Sequence, residues 1–375
     1  MSIEIAVIAA GARSRVVVGN LLRAAKGGVH IAALYDPDVE VARMALAEWH
    51  LSDEIICNSY QEAMARPGIN WVMIFSPNAF HKEHILAAFA AGKNVFSEKP
   101  LATSIADCQE IYEASQRAGV LFATGFVLRY SKMYGKVKEI LASGALGKLL
   151  AINADENIPP DHGGYIMRNW RRNTAIAGPH ILEKCCHDLD LINWYCESLP
   201  TRVVSFGRRD FFVPENESLM EKYGRDTFCS WLDPHGKPSP FTSDKDLMDN
   251  QTSIAEYRNG IIVTFQCTMS NPMPERRMLF CCSEGTMKVE LYSSTLCYKR
   301  MGEDYVHSYN FGADAHGGGD EYIAAALLET MQTGSAPKCS GSEGLQSAVY
   351  ALAIDQAART GKIVDLEPIW QSLNR

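Results

Sequence analysis

Ile3-Glu4-Ile5-Ala6-Val7-Ile8-Ala9-Ala10-Gly11-Ala12-Arg13-Ser14 is an apolar run, a turn holding one glycine, and the first residues of a helical pattern. The same alternation continues outward from it. Short apolar runs at 29–36, 71–76, 94–98 and 120–126 are separated by helical patterns beginning at Arg13, Val39, Ala79 and Ser104. Strands that alternate with helices at this spacing imply right-handed crossovers and a doubly wound parallel sheet. The runs are nearly unbroken, as in strands covered on both faces. The turn at 9–14 then lies where backbone N–H groups at a helix N-terminus receive a pyrophosphate. Only the middle glycine of the usual G-x-G-x-x-G is kept, with Ala9 and Ser14 in the outer places, so the motif is weak by itself. Asp36, at the end of the second apolar run, either accepts ribose hydroxyls and disfavours a 2′-phosphate, or caps the helix after Pro37.

Past Phe126 the pattern changes. A helix over about 131–143 leads to a strand near 149–157, and one helix is expected over roughly 181–196. Two hairpins follow, turning at Asn259-Gly260 and Glu284-Gly285. The expected fold is α/β: residues 1–126 form a dinucleotide-binding domain. Residues 127–375 form a second α/β domain with a large, mostly antiparallel open sheet, whose last helices pack back on the first domain. The polar stretch from Arg208 to Asn250 is too long for an ordinary connection and reads as a lid, an interface arm or a mobile loop. Two helices are expected between 321 and 360, and no internal repeat is found.

Composition narrows the function. With 375 residues and 47% hydrophobic content the chain fills two cores. A net charge of -8, with both signs interspersed, leaves no basic footprint for nucleic acid. No apolar run approaches the roughly 20 residues that span a bilayer. The first residues hold no leader pattern, so a cytoplasmic protein is expected. Eleven cysteines, an odd number, read as reduced thiols, and the pairs Cys185-Cys186 and Cys281-Cys282 as core packing. No metal is expected; a set drawn from His162, His180, His187 and His316 is the alternative.

The run Gly92-Lys93-Asn94-Val95-Phe96-Ser97-Glu98-Lys99-Pro100, after Ser76-Pro77-Asn78 with His81 and His84 behind it, resembles the Gfo/Idh/MocA family of oxidoreductases. The resemblance extends over essentially the whole chain and implies NAD as cofactor, NADP less so, and a sugar or polyol substrate. It implies that Lys99 hydrogen-bonds the reacting oxygen, with the following proline, often cis, aiming it. Gly11, Ala12, Arg13, Ser14, Asp36, Pro77, Asn78, His81 and Glu98 are then the cofactor-binding set. Arg129, in a second family-like run at 125–130, either reaches cofactor or substrate or pairs with a surface carboxylate.

In Glu183-Lys184-Cys185-Cys186-His187, Glu183 and His187 stand four apart, which places both on one helix face. By resemblance His187 is the general base, a role its ordinary pKa near 6.5 suits. Glu183 replaces the family's aspartate and either contacts substrate or orients His187. Asn157, His162, Tyr165, Arg168, Asn169, Trp170 and Arg171 form a mixture fit for a hydroxyl-rich ligand, Trp170 being equally suited to a core. His316-Gly317-Gly318-Gly319-Asp320 either approaches the substrate or opens a helix capped by Asp320. Two rivals accompany the dehydrogenase reading: an NAD-retaining glycosidase or lyase that oxidises its substrate transiently, and a non-catalytic dinucleotide-binding regulator. The resemblance also implies a homodimer or homotetramer.

Overall fold

The computed structural model describes residues 2–231, 233, 235–312 and 316–375. The chain forms two compact units, Met1–Ser131 with Gly318–Ala348, and Lys132–Gly317 with Val349–Arg375. In chain order the first unit begins with β1 (Ile3–Ile8), α1 (Ala12–Ala25), β2 (Val29–Tyr35), α2 (Val39–Glu48), α3 (Tyr60–Ala65) and β3 (Ile69–Ile74). It continues with α4 (His81–Ala90), β4 (Asn94–Ser97), α5 (Ile105–Ala118) and β5 (Phe122–Thr124). Its sheet runs β2-β1-β3-β4-β5, all parallel, as the alternation predicts. Ile5 to Ile8 and Val72 to Ile74 are buried without a polar face, because helices cover both sides.

Side chains close three of these helices: Asp38 accepts from Glu40 N, Ser59 from Glu62 N and Ser104 from Asp107 N. α1 differs, because its N-cap is Gly11, with no side-chain cap. The strand order reverses between β1 and β3, which puts the turns after their C-terminal ends at the usual ligand crevice of such sheets.

The second unit holds α6 (Lys132–Ala142), β6 (Leu149–Asn157), α7 (Pro160–Arg168), α8 (Thr174–Ala177), α9 (His180–Glu183), α10 (Cys186–Cys196) and β7 (Pro200–Arg208). Then come α11 (Leu219–Tyr223), α12 (Asp226–Cys229), and six strands: β8 (Asn250–Tyr257), β9 (Ile262–Thr268), β10 (Arg277–Cys282), β11 (Gly285–Glu290), β12 (Thr295–Arg300) and β13 (His307–Asn310). α13 (Gly319–Thr333), α14 (Gly341–Thr360), β14 (Val364–Asp365) and α15 (Glu367–Ser372) end the chain. The sheet of this unit has nine strands in the order β13-β12-β11-β10-β6-β9-β8-β7-β14, antiparallel except where β6 pairs with β9. Both expected hairpins are present, with Gly260 at φ 84° in the first turn.

Three expectations are corrected. The single helix over 181–196 is broken at Lys184 and Cys185 into α9 and α10, so Glu183 and His187 do not share a continuous helix face. The 208–250 stretch, over its described residues, is not a bare loop: Phe212, Phe228, Phe241 and Leu247 pack with Ile158, Ile166, Met167 and Met269 into a core of their own. Its polar composition hides four apolar anchors. Gly164 lets this layer close, since a Cβ there would lie 1.9 Å from the Phe228 carbonyl oxygen. Cys281 is exposed on β10, whereas Cys185 and Cys186 are buried.

His84 of α4 is buried behind the β3 turn, its Nδ1 2.9 Å from Ser76 Oγ and its ring 4.6 Å from that of Tyr60. Burial lowers its pKa to about 4. A base with a depressed folded pKa holds its stabilising contribution above the unfolded value near 6.5 and loses it as pH falls toward 4. Unfolding free energies from urea titrations should fall by about 3 kcal/mol more in wild type than in His84→Gln between pH 7 and pH 4. Parallel pH profiles would refute this.

Candidate active site

In the first unit the turns after β1, β2, β3 and β4 carry the predicted cofactor residues. Ala9, in the place of the first glycine, takes a left-handed φ of 70°, a conformation alanine adopts at a cost of about 1 kcal/mol. A Cβ added at Gly11 would meet nothing within 4 Å, so the uncapped α1 N-terminus, with Ala12, faces open space. Ser14 is fully buried and returns its hydroxyl to the Gly11 carbonyl at 2.7 Å, which is how a serine fits the third glycine position. The Asp36 carboxylate accepts from the N–H groups of Ala10, at 2.7 Å, and Asp38, at 2.9 Å. Capping of α2 belongs to Asp38, which leaves Asp36 fastened beside the turn. Burial raises its pKa, and the two N–H bonds oppose the rise.

Arg13 is an ion-pair hub. Its Nε lies 2.6 Å from Glu98 and a terminal nitrogen 2.5 Å from Asp320 in the first turn of α13. Burial alone would lower the guanidinium, but the two carboxylates outweigh it and raise it. Glu98 also accepts from the Lys99 N–H at 3.1 Å. A Cβ on Gly125 would come within 2.7 Å of its carboxylate. Lys99 is half-buried and its bond to Pro100 is cis. Asn78 is buried and Pro77 half-buried on the β3 turn. His81 is fully buried, with Nδ1 2.7 Å from the Pro100 carbonyl and Nε2 2.8 Å from the Ser76 carbonyl. It braces the turns after β3 and β4 against each other instead of lining the crevice. Arg129 is buried, against the surface reading, and its carbonyl accepts from Lys338. The helix opened by the glycine run has Gly318, at φ 79°, in its N-cap place and no side-chain cap; Asp320 lies inside its first turn and pairs with Arg13.

In the second unit Arg171 gathers the polar cluster. It donates to Glu183 at 2.8 Å, to the Tyr165 hydroxyl at 3.1 Å and to Asn169 Oδ1 at 3.0 Å, and its guanidinium lies 4.3 Å from the centre of the Trp170 ring. Glu183, at the end of α9, is thus fixed by a charge partner. His187 is buried in the first turn of α10, its ring centroid 6.3 Å from that of His316. Burial sends the His162 pKa well down, and its ring stacks at 4.3 Å on Trp231.

Two predicted ligand residues have structural duties. Arg168 donates to the carbonyls of Trp231 and Lys237. Asn157 accepts from the Thr268 hydroxyl while its backbone pairs with Glu275. Sequence reasoning missed Trp231, 42% exposed and held by its indole N–H to Asp161 at 3.2 Å, because it lies in a polar stretch without periodicity. Its ring also packs 5.2 Å from Tyr165.

Residues 3–126 match the family description "Oxidoreductase family, NAD-binding Rossmann fold", and residues 134–288 match "GFO/IDH/MocA C-terminal domain". The chain belongs to the Gfo/Idh/MocA family. An inositol 2-dehydrogenase of Gluconacetobacter diazotrophicus is 36% identical over 198 residues, 52% of this chain and 54% of that protein. A 2,7-anhydro-N-acetylneuraminate hydratase of Mediterraneibacter gnavus is 27% identical over 183 residues, 48% of this chain and 46% of its own length. The chain spans about half the length of these curated relatives. A levoglucosan dehydrogenase solved with NADH and levoglucosan superimposes with a TM-score of 0.82, covering 98% of this chain and 100% of that one; at 16% identity the likeness is one of fold.

Gly125→Ala forces the Glu98 carboxylate off Arg13. The expected loss is about 1–3 kcal/mol of unfolding free energy, measured by urea denaturation. A neutral substitution would show that this contact does not constrain the turn.

Proposed function

We propose that this Gfo/Idh/MocA protein is an NAD-dependent oxidoreductase acting on a secondary alcohol of a sugar, sugar derivative or polyol. The observation that carries this is the edge of the parallel sheet, where an uncapped helix behind Gly11, the fastened Asp36 and the Lys99 turn follow the C-terminal ends of β1, β2 and β4. The names of the inositol and levoglucosan dehydrogenases support the substrate class.

The pocket chemistry fits the dinucleotide. The N–H groups at the start of α1, from Ala12 to Ser14, would hold the pyrophosphate. Asp36, with lone pairs left beyond its two N–H bonds, would accept ribose hydroxyls and disfavour a 2′-phosphate. When bound, the nicotinamide supplies a hydride acceptor or donor. Lys99 holds the reacting oxygen by a charge-assisted hydrogen bond and stabilises negative charge as it develops there. His187 takes the hydroxyl proton in oxidation and returns it in reduction. Glu183, fixed by Arg171, keeps the polar wall of the second unit in one arrangement, and Tyr165, His162 and Trp231 supply ring faces and donors for a hydroxylated ligand.

Phe206, Ile254 and Ile262, 74%, 48% and 40% exposed on the nine-stranded sheet, support a homo-oligomer that covers them, and a cytoplasmic location completes the reading. The hydratase relative favours a second reading, in which the cofactor is retained and the substrate leaves without net oxidation.

Following NADH absorbance with a panel of polyols, aldoses and anhydrosugars tests the first reading. We expect substrate-dependent NADH, with kcat lowered on the order of a hundredfold or more in Lys99→Ala and in His187→Ala. Product formed without NADH selects the second reading. Variants that turn over like wild type remove both residues from the chemistry.

A further inference from the structure

Three soft ligand groups converge where α9 meets α10. His180 opens α9, Cys185 lies at the break between the two helices, and Cys267 belongs to β9; all three are buried. One ring nitrogen and two sulfurs lie within 4.8 Å of one another. The register of β6 against β9 pairs Glu156 with Cys267, which puts their side chains on the same face of the sheet. Glu156 is 1% exposed. Its Oε1 lies 3.3 Å from Arg276 and 3.5 Å from Lys184, the Asp188 carboxyl faces the same carboxylate, and by geometry its Oε2 has no hydrogen-bond partner among the described residues.

We propose that His180, Cys185 and Cys267 form a buried structural zinc site, whose fourth position Glu156, outside the converged set of three, fills by turning its Oε2 toward the ion. Two sulfurs and an imidazole are the donor set of a borderline-soft cation, and a closed set of four protein ligands marks a structural zinc. Tetrahedral zinc bonds of about 2.0–2.3 Å hold donors roughly 3.3–3.8 Å apart, a separation that a set already within 4.8 Å reaches by small side-chain shifts. Both thiols bind as thiolates, their protons passing to solvent, so the two sulfurs balance the dication and Glu156 keeps Arg276 and Lys184 as counter-charges. Without the ion, burial, and after it the neighbouring Cys267, raises the Cys185 thiol. The ion would fasten β9 to the helix break two residues ahead of His187, which fixes where α10 starts. The proposal stands apart from the oxidoreductase reading, since none of the four residues is assigned a step in that chemistry.

Full-length, tag-free protein from zinc-supplemented cells, purified without chelator, should carry about one zinc per chain by mass spectrometry of the metal. Cys185→Ser with Cys267→Ser should lose it while keeping the circular dichroism of the fold. Because that variant is at risk of unfolding, wild type stripped and reloaded with cobalt provides a second reading. Thiolate-to-cobalt charge-transfer bands and intense tetrahedral d–d bands are expected. A metal-free protein without those bands, zinc retained in the double variant, or a Cys185–Cys267 disulfide in freshly purified protein would each overturn the site.

Discussion

Arg13 is held between Glu98 and Asp320, and the candidate cofactor half of the molecule is organised around that guanidinium. One carboxylate belongs to the turn after β4, immediately before Lys99; the other comes from the first turn of α13, which packs along α1. A half-buried cation between two anions is costly to half-remove, because the remaining carboxylates, Glu98 the more buried of them, lose their charge partner. The clamp therefore positions Lys99 through its neighbour. It leaves the N–H groups of α1 as the free polar edge of the crevice, since the side chain following them is turned toward its carboxylates. Gly125 belongs to the same constraint, as the space it leaves empty is where the Glu98 carboxylate lies.

The second unit repeats this logic with a different cation. Arg171 ties Glu183, Tyr165 and Asn169 into one network and lies over Trp170. The aromatic layer contributed by 208–250 carries Trp231 onto the same wall, beside His162 and Tyr165. Beneath it, Asp188 is bound through two hydrogen bonds to Arg276, and burial together with Glu156 pushes its pKa up to about 7. Fixed charges on rigid elements keep such side chains in one rotamer, as recognition of a hydroxylated ligand requires.

Local pattern made the parallel sheet legible, because each strand of the first unit is a short apolar run that no polar face interrupts. The strand at 149–157 and both hairpins were readable for similar reasons, through period-two patterning and Asn-Gly or Glu-Gly turns. The break at Lys184–Cys185 was not, since apolar spacing at 181–196 continues through it and only backbone angles reveal the change. Partners far apart in sequence were equally hidden. Nothing near Arg13 announces Asp320, 307 residues on, and nothing near Arg168 announces the carbonyl of Trp231. The roles of His81 and Arg168 shifted from ligand contact to bracing for that reason: a polar residue type shows that a hydrogen bond will be made, not whether protein or ligand makes it.

Whether the crevice at the ends of β1 to β4 takes a dinucleotide, and which one, decides the proposed function. Isothermal titration of the full-length protein, freed of any co-purifying nucleotide, with NAD+ and then NADP+ tests this most directly. NAD+ is predicted to bind with a stoichiometry near one per chain. NADP+ should bind at least about tenfold more weakly, because Asp36 meets its 2′-phosphate, and Asp36→Ala should narrow that gap. Equal affinity for both nucleotides would contradict the role given to Asp36, and no binding of either would contradict the function proposed for the chain.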